Sequence, residues 1–179
     1  MSPKEDAGER KRQILAAAAA LFAEFGYYKT TTAHVARAVG VTQPYIFHFF
    51  KSKEELYMAV LKQANERILH AFAAADAPPE LLPETMGRAF TDLLADYRNE
   101  ILLVMTAFTI PEPAIREYTR KEFDAVYDRV KERFEAAGLP NAEFLASNFI
   151  GQGLILTMSE ALDLPRICAW NDKHPRRNA

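Results

Sequence analysis

Cysteine is nearly absent from this chain of 179 residues, which contains Cys168 alone. A single thiol cannot form an internal disulfide, so a reducing compartment is expected. No apolar run is long enough to cross a bilayer, and the first residues, MSPKEDAGERKRQ, lack the apolar core of a secretion signal. These absences predict a cytoplasmic protein with no membrane partner.

Motifs of catalysis and of metal binding are also missing. His34, His48, His70 and His174 are scattered, and none stands at a Cys/His ligand spacing. The sequence contains no GxGxxG, no P-loop and no GxSxG. We therefore expect no enzyme activity and no cofactor.

Helical periodicity, by contrast, runs through almost the whole chain. Apolar residues make up 49% and charged residues 26%, as in an ordinary globular protein. No strand-like alternation is visible, and Gly and Pro separate the periodic segments. The sequence predicts an all-α fold with helices over about 10–25, 32–39, 43–50, 53–75, 84–97, 101–108, 114–137 and 141–162.

The segment from Thr30 to Lys53 has the pattern of two short helices joined by a tight turn. Thr31 or Thr32 can cap the first helix, and Gly40 follows its last apolar residue. Thr42 can cap the second, which tolerates Pro44 in its first turn. Ile46 and Phe50 then face inward, and the side chains expected to face outward are Gln43, Tyr45, Phe47 and His48.

This arrangement is a helix-turn-helix, whose second helix enters the major groove of DNA. Gln43 offers a paired donor and acceptor to a base edge, and Tyr45 can bond a phosphate or touch a thymine methyl. The alternative is a helical hairpin inside an all-α core, its outward aromatic residues covered by a neighbour. Residues 1–53 carry 8 Lys and Arg against 4 Asp and Glu, whereas residues 54–179 carry 14 against 20. A basic head on an acidic body favours DNA binding.

The stretch from Arg10 to Leu61 resembles the N-terminal domain of TetR-family transcriptional regulators. The matching pieces are Ile14-Leu15, Ala17-Ala18, Leu21-Phe22, Gly26, Thr30, Val35-Ala36, Gly40-Val41-Thr42, Phe47-His48-Phe49-Phe50 and Lys53-Glu54-Glu55-Leu56. The resemblance implies a three-helix DNA-binding head over 1–53, a helical ligand-binding and dimerisation domain over 54–164 and a tail over 165–179. The predicted DNA-binding residues are Thr31, Thr32, Thr42, Gln43, Pro44, Tyr45, Phe47, His48 and Lys53.

Phe47 is a departure from the family, which usually has tyrosine at this position. Phenylalanine cannot donate a hydrogen bond to phosphate, so this chain lacks the backbone contact that the family tyrosine implies. In the family, the residue matching Lys53 holds a phosphate at the start of the fourth helix, where helix amides add to its charge.

Polar residues within the apolar helices of the second domain are candidates for a ligand site. They are Thr106, Thr109, Tyr118, Tyr127, Asn148 and Gln152. Because no cluster of Arg or Lys lines these helices, the expected effector is hydrophobic or aromatic. For each of these residues, packing in the core or exposure at the surface is the alternative.

The last helix carries two mid-helix glycines, which fit where another backbone comes close. The family pairs its last two helices with those of a second subunit, and the predicted dimer contacts are Phe149, Gly151, Gly153 and Ile155. Packing of the glycines within the chain is the alternative. The resulting prediction is a homodimeric repressor that binds a palindromic operator and is released by its effector. The competing hypothesis is an all-α ligand-binding or protein-interaction module that no longer binds DNA.

Overall fold

The computed structural model describes the backbone of residues 3–168 and the side chains of residues 7–168. Every regular element in this range is helical, which confirms the all-α prediction. Short 3-10 turns lie at Pro79–Leu81, Ala107–Thr109 and Pro165–Cys168. The α-helices are α1 (Pro3–Lys29), α2 (Thr32–Ala38), α3 (Gln43–Phe49), α4 (Lys53–Ala74), α5 (Leu82–Asp96), α6 (Arg98–Thr106), α7 (Pro113–Ala136) and α8 (Ala142–Ala161).

The first helix begins at Pro3, seven residues before the predicted start at Arg10. Side-chain pairs one turn apart stabilise its early turns: Arg12 is paired with Glu9, and Arg10 donates to Gln13 over 3.0 Å. Gly26 breaks the helix as predicted, since its φ of 77° lies in the left-handed region that side chains disfavour. The chain turns at Gly26 before the last turn of α1.

Aromatic contacts join the head (α1 to α3) to the body (α4 to α8). The Tyr57 ring of α4 meets the edges of Phe22 and Tyr27 of α1, at centroid distances of 4.9 and 5.1 Å. Burial is the main cause that raises the pKa of Tyr57, so this hydroxyl stays protonated. α1 also packs against α6. The head therefore rests on two helices of the body, and one buried apolar cluster runs through both.

Two long helices, α7 and α8, pack against each other at the end of the body. Gly138 separates them with a φ of 75°, as the predicted Gly-Pro stop requires. Of the predicted tail, Pro165–Cys168 form a 3-10 turn in which Cys168 is buried, while 169–179 lie outside the described residues. No helix within residues 3–168 has the length and apolar content needed to cross a membrane.

Candidate nucleic-acid interface and ligand cavity

The turn between α2 and α3 has the geometry that the sequence predicts. The Thr31 hydroxyl caps α2 by accepting from the His34 amide over 3.2 Å. At the other end the Val41 amide donates to the Ala36 carbonyl over 2.9 Å, while Gly40 adopts a φ of 70°. This is a Schellman ending, which glycine accommodates without strain. It sets the angle at which α3 leaves α2.

One face of α3 is buried and the other is open. Ile46 is fully buried and Phe50 nearly so, because both pack into the core of the head. Thr42 stands at the N-cap, but its side chain makes no capping hydrogen bond and remains exposed. The exposed residues of α3 are those predicted to face outward, together with the proline of the first turn: Gln43, Pro44, Tyr45, Phe47 and His48.

Thr32 has a different position from the one predicted. It was expected at the DNA surface, but it is only 6% exposed, and its hydroxyl accepts a hydrogen bond from Gln43 Nε2 over 2.8 Å. Thr32 is thus a positioning residue that ties the Gln43 side chain to α2. The sequence could not indicate this bond, because it joins residues eleven apart across the turn.

Phe49 supports the exposed rings of α3 from beneath. Its ring meets Tyr45 edge-on at 5.4 Å and His48 at 5.3 Å. Phe49 itself is half-buried, which limits the freedom of the two rings above it. Tyr45 and Phe47 remain 37% and 44% exposed, so both can reach a partner beside α3.

The start of α4 agrees with the predicted capping box in part. Ser52 Oγ accepts from the Glu55 amide over 3.0 Å, as expected. The Glu55 carboxylate reaches back to the Lys51 amide over 2.8 Å, one residue before the N-cap. Both contacts fix the first turn of α4 against the end of α3.

Lys53 is held by the head itself. Its Nζ donates to the Tyr27 carbonyl over 2.9 Å and lies 4.3 Å from the centre of the Tyr27 ring. A phosphate bound at the predicted position would therefore share the Lys53 ammonium with the carbonyl of Tyr27, the residue that follows Gly26. A second donor contact, to the Tyr28 carbonyl at 3.5 Å, is longer. These contacts of Lys53 with Tyr27 and Tyr28 form what we call the Lys53 clamp. Helical spacing could not predict the clamp, because its partners are 25 and 26 residues away.

A cavity of about 560 Å³ opens inside the body between α4, α5, α6, α7 and α8. Its walls are mainly apolar and include four phenyl rings, those of Phe72, Phe90, Phe123 and Phe149. Its polar lining residues are Asn65, Glu84, Arg88, Thr91, Asn148 and Gln152. The size and lining are those of a site for a small apolar molecule.

Two of the six predicted ligand residues, Asn148 and Gln152, line this cavity. The other four are wrong as lining residues. The hydroxyls of Thr106 and Thr109 donate to the backbone carbonyls of Leu102 and Thr106, over 2.7 and 2.8 Å, at the surface. Tyr118 and Tyr127 are half-buried and do not border the cavity. Asn65 was missed, since a polar residue in a long amphipathic helix gives no sign of facing a cavity.

The four predicted dimer contacts of α8 divide into two pairs. Phe149 faces inward, with ring centroids 5.1 Å from Phe72 and 5.9 Å from Phe134. A Cβ at Gly153 would lie 3.6 Å from Met105 Cε, so this glycine serves packing within the chain. Both residues thus face their own chain, as the intrachain alternative expects of the glycine, and their part in a dimer stays a prediction. Gly151 faces open space and Ile155 is 37% exposed.

Metal binding finds no support in residues 3–168, where no three His, Cys, Asp or Glu side chains are grouped to hold an ion.

Comparisons with known proteins match both parts of the molecule. The family described as "Bacterial regulatory proteins, tetR family" matches residues 14–60. The probable HTH-type transcriptional regulator ArpR of Pseudomonas putida is 34% identical over 123 residues, which cover 64% of this chain and 59% of ArpR. The HTH-type transcriptional regulator RutR of Escherichia coli K12 is 41% identical over 122 residues, 66% of this chain and 57% of RutR. The match thus spans less than two thirds of these relatives.

Solved structures share the fold at low sequence identity. A TetR-like transcriptional regulator from Rhodococcus sp. RHA1 superposes with a TM-score of 0.72 at 19% identity, covering 89% of this chain and 88% of the other. AibR in complex with isovaleryl coenzyme A and operator DNA gives 0.68 at 23%, covering 83% and 86%. The relatives are named as regulators, which agrees with the expectation that the chain is not an enzyme. The head, over residues 14–60, therefore matches the TetR family of bacterial regulatory proteins, and the described chain shares its fold with solved TetR-like regulators.

Proposed function

We propose that this chain is a ligand-responsive transcriptional regulator that binds double-stranded operator DNA through α3. The observation that carries the proposal is the division of α3 into a buried side, Ile46 with Phe50 next to it, and an open side bearing Gln43, Tyr45 and His48. A helix anchored in this way can enter the major groove without rearranging the head. The net positive charge of residues 1–53 attracts phosphates, although the whole chain has a net charge of −2.

The contacts divide into base readout and backbone grip. We assign base readout to Gln43, held by Thr32, and to Tyr45 and His48, which rest on Phe49. We assign phosphate contacts to Thr31 and Thr42, whose exposed hydroxyls stand at the N-termini of α2 and α3, with Pro44 and Phe47 beside them. In this proposal Lys53 contacts a phosphate while its ammonium keeps the hydrogen bond to the Tyr27 carbonyl.

Dimerisation is the second part of the proposal. α8 has an outward-facing stripe at spacings of seven, four, three and four residues, and it consists of Phe144, Gly151, Ile155, Met158 and Leu162. Phe144 and Leu162, at the two ends of the stripe, are 70% and 63% exposed, so the stripe presents apolar surface along the length of α8. A second copy packing on this stripe would bury it and give two heads for a palindromic operator.

Effector release is the third part. A small molecule in the cavity contacts α4 and α6, and both helices pack against α1 of the head. A ligand that binds more tightly to a head spacing unsuited to DNA lowers operator affinity. The named complexes of AibR with isovaleryl coenzyme A and of SmeT with triclosan support a ligand site in this fold. In this proposal, residues 1–53 form the DNA-binding unit, 54–164 the ligand and dimer unit, and 165–179 a tail.

The test is fluorescence anisotropy with a duplex from around the chain's own gene and a shuffled duplex of equal composition. The wild type is expected to prefer the genomic duplex, and Tyr45→Ala to weaken that binding by about 5- to 150-fold, the effect of one lost specific contact. Phe108→Ala is the matched control, because it removes an exposed ring from the body. Equal affinity of Tyr45→Ala and wild type would remove α3 from the interface.

A further inference from the structure

Asn65 is a buried polar residue with an unusual position. The described chain buries six polar residues, Thr30, Thr32, Asn65, Thr119, Thr157 and Ser159, and Asn65 alone among them borders the cavity. It is 6% exposed, on a helix whose neighbouring cavity residues, Ile68 and Phe72, are apolar. Burying a carboxamide costs free energy unless its donors and acceptor find partners, so its orientation is informative.

One end of the Asn65 amide is already bound. Nδ2 donates to Glu122 Oε2 of α7 over 3.2 Å, and a carboxylate can only accept. This bond fixes which end of the amide faces α7. Within the described residues no hydrogen bond reaches Oδ1, so the acceptor of this cavity-lining residue is without a partner.

The charges around this wall select against an anionic ligand. Arg88, the cation of the lining, is paired with Glu84 at the rim. Glu122 brings a negative charge directly behind Asn65, and the buried Tyr118 hydroxyl lies next to the same pair without a hydrogen bond of normal geometry. A ligand carboxylate next to Asn65 would therefore meet an acceptor, with the like charge of Glu122 behind it.

We propose that Asn65 is the polar anchor of the cavity and that its ligand is an apolar aromatic molecule carrying an O–H or N–H donor and no carboxylate. The donor bonds Asn65 Oδ1, while the phenyl side chains pack on the rest of the molecule. Glu122 acts as a positioning residue that holds the amide. The proposal concerns the cavity of the proposed regulator, and only the regulatory consequence of binding rests on the proposed function.

Three probes of one shape test the anchor: 4-phenylphenol, its methyl ether 4-methoxybiphenyl, and biphenyl-4-carboxylate. Their affinities for the full chain are measured by calorimetry. The wild type is expected to bind the phenol about 3- to 10-fold more tightly than the ether, the effect of one hydrogen bond, and the carboxylate most weakly. Equal binding of phenol and ether, strongest binding of the carboxylate, or no binding of any probe would overturn the proposal.

Variants assign the preference to Asn65. Asn65→Leu keeps the volume but removes the acceptor, so the phenol-to-ether ratio is expected to fall to about one. Gln63→Leu is the matched control, because it replaces a half-buried amide on the same helix that does not line the cavity, and it keeps the wild-type ratio. If Asn65→Leu does not fold, Glu122→Leu serves instead, because it frees the amide to turn and present its N–H to the ether oxygen. An unchanged ratio in the folded variant refutes the anchor.

Anisotropy on the same samples separates this proposal from the proposed function. DNA binding without the predicted probe order overturns the anchor and leaves the regulator. The predicted probe order without DNA binding leaves the anchor and overturns the regulator.

Discussion

The Lys53 clamp gives a prediction whose magnitude follows from two distances. The ammonium bonds the Tyr27 carbonyl over 2.9 Å and lies 4.3 Å from the Tyr27 ring centre. A hydrogen bond from a charged group contributes about 1.5–3 kcal/mol, and an exposed cation–ring contact about 0.5–1 kcal/mol. Both contacts use one half-exposed ammonium, so the two values overlap, and we expect Lys53→Met to lower the free energy of unfolding by about 2 kcal/mol.

Thermal unfolding followed by circular dichroism measures this loss. For a chain of this length, about 2 kcal/mol corresponds to a melting temperature lower by about 4–8 °C. Lys51→Met is the matched control, since it removes the same charge from an exposed side chain two residues away and should change stability by less than about 0.5 kcal/mol. Samples are compared at equal concentration, because dimerisation would shift both transitions. If the two variants melt within about 1 °C of each other, the clamp does not stabilise the head.

Two further predictions concern α3 and α8. Phe47→Tyr adds a hydroxyl at an exposed position of α3, and we expect it to bind all duplexes about fivefold more tightly, as measured by anisotropy. The control Phe108→Tyr should leave the affinity for DNA unchanged. If Phe47→Tyr does not bind more tightly, position 47 does not contact a phosphate. Gly151→Glu puts a charge on the α8 stripe, where a Cβ meets nothing in the chain. Sedimentation should therefore show monomers, and circular dichroism should show that their helicity is unchanged. Gly153→Glu, whose Cβ would approach Met105, should instead lower the melting temperature, and a dimeric Gly151→Glu would contradict the proposed interface.

The local pattern of the head was predictable because short-range rules determine it. The Thr31 cap, the Gly40 turn and the burial of Ile46 all depend on residues within five positions of one another. The ends of α4 and α7 followed from Pro and Gly for the same reason, whereas α6 begins at Arg98, three residues before its predicted start, where neither residue stands. The predicted start of α1 was wrong by seven residues, and the pairs made by Glu9 and Arg10 stabilise the helix at that predicted start.

The positions of the polar groups were less predictable, because their partners are distant in sequence. The buried Thr32 hydroxyl accepts a hydrogen bond from Gln43, and the Lys53 ammonium donates to a carbonyl of α1. In the body, the Thr106 hydroxyl donates to a carbonyl of its own helix. Asn65 instead donates to Glu122, which is 57 residues away in sequence, and lines the cavity. Helical periodicity assigns a face to each residue but cannot tell which neighbour, or which empty space, that face meets.

Footprinting of the purified chain on DNA from around its own gene, at low ionic strength, tests the central claim most directly. Two heads that each insert α3 predict two protected patches on one face of the duplex, separated by about one helical turn or a multiple of it. The absence of protection on this DNA at low ionic strength would contradict the account.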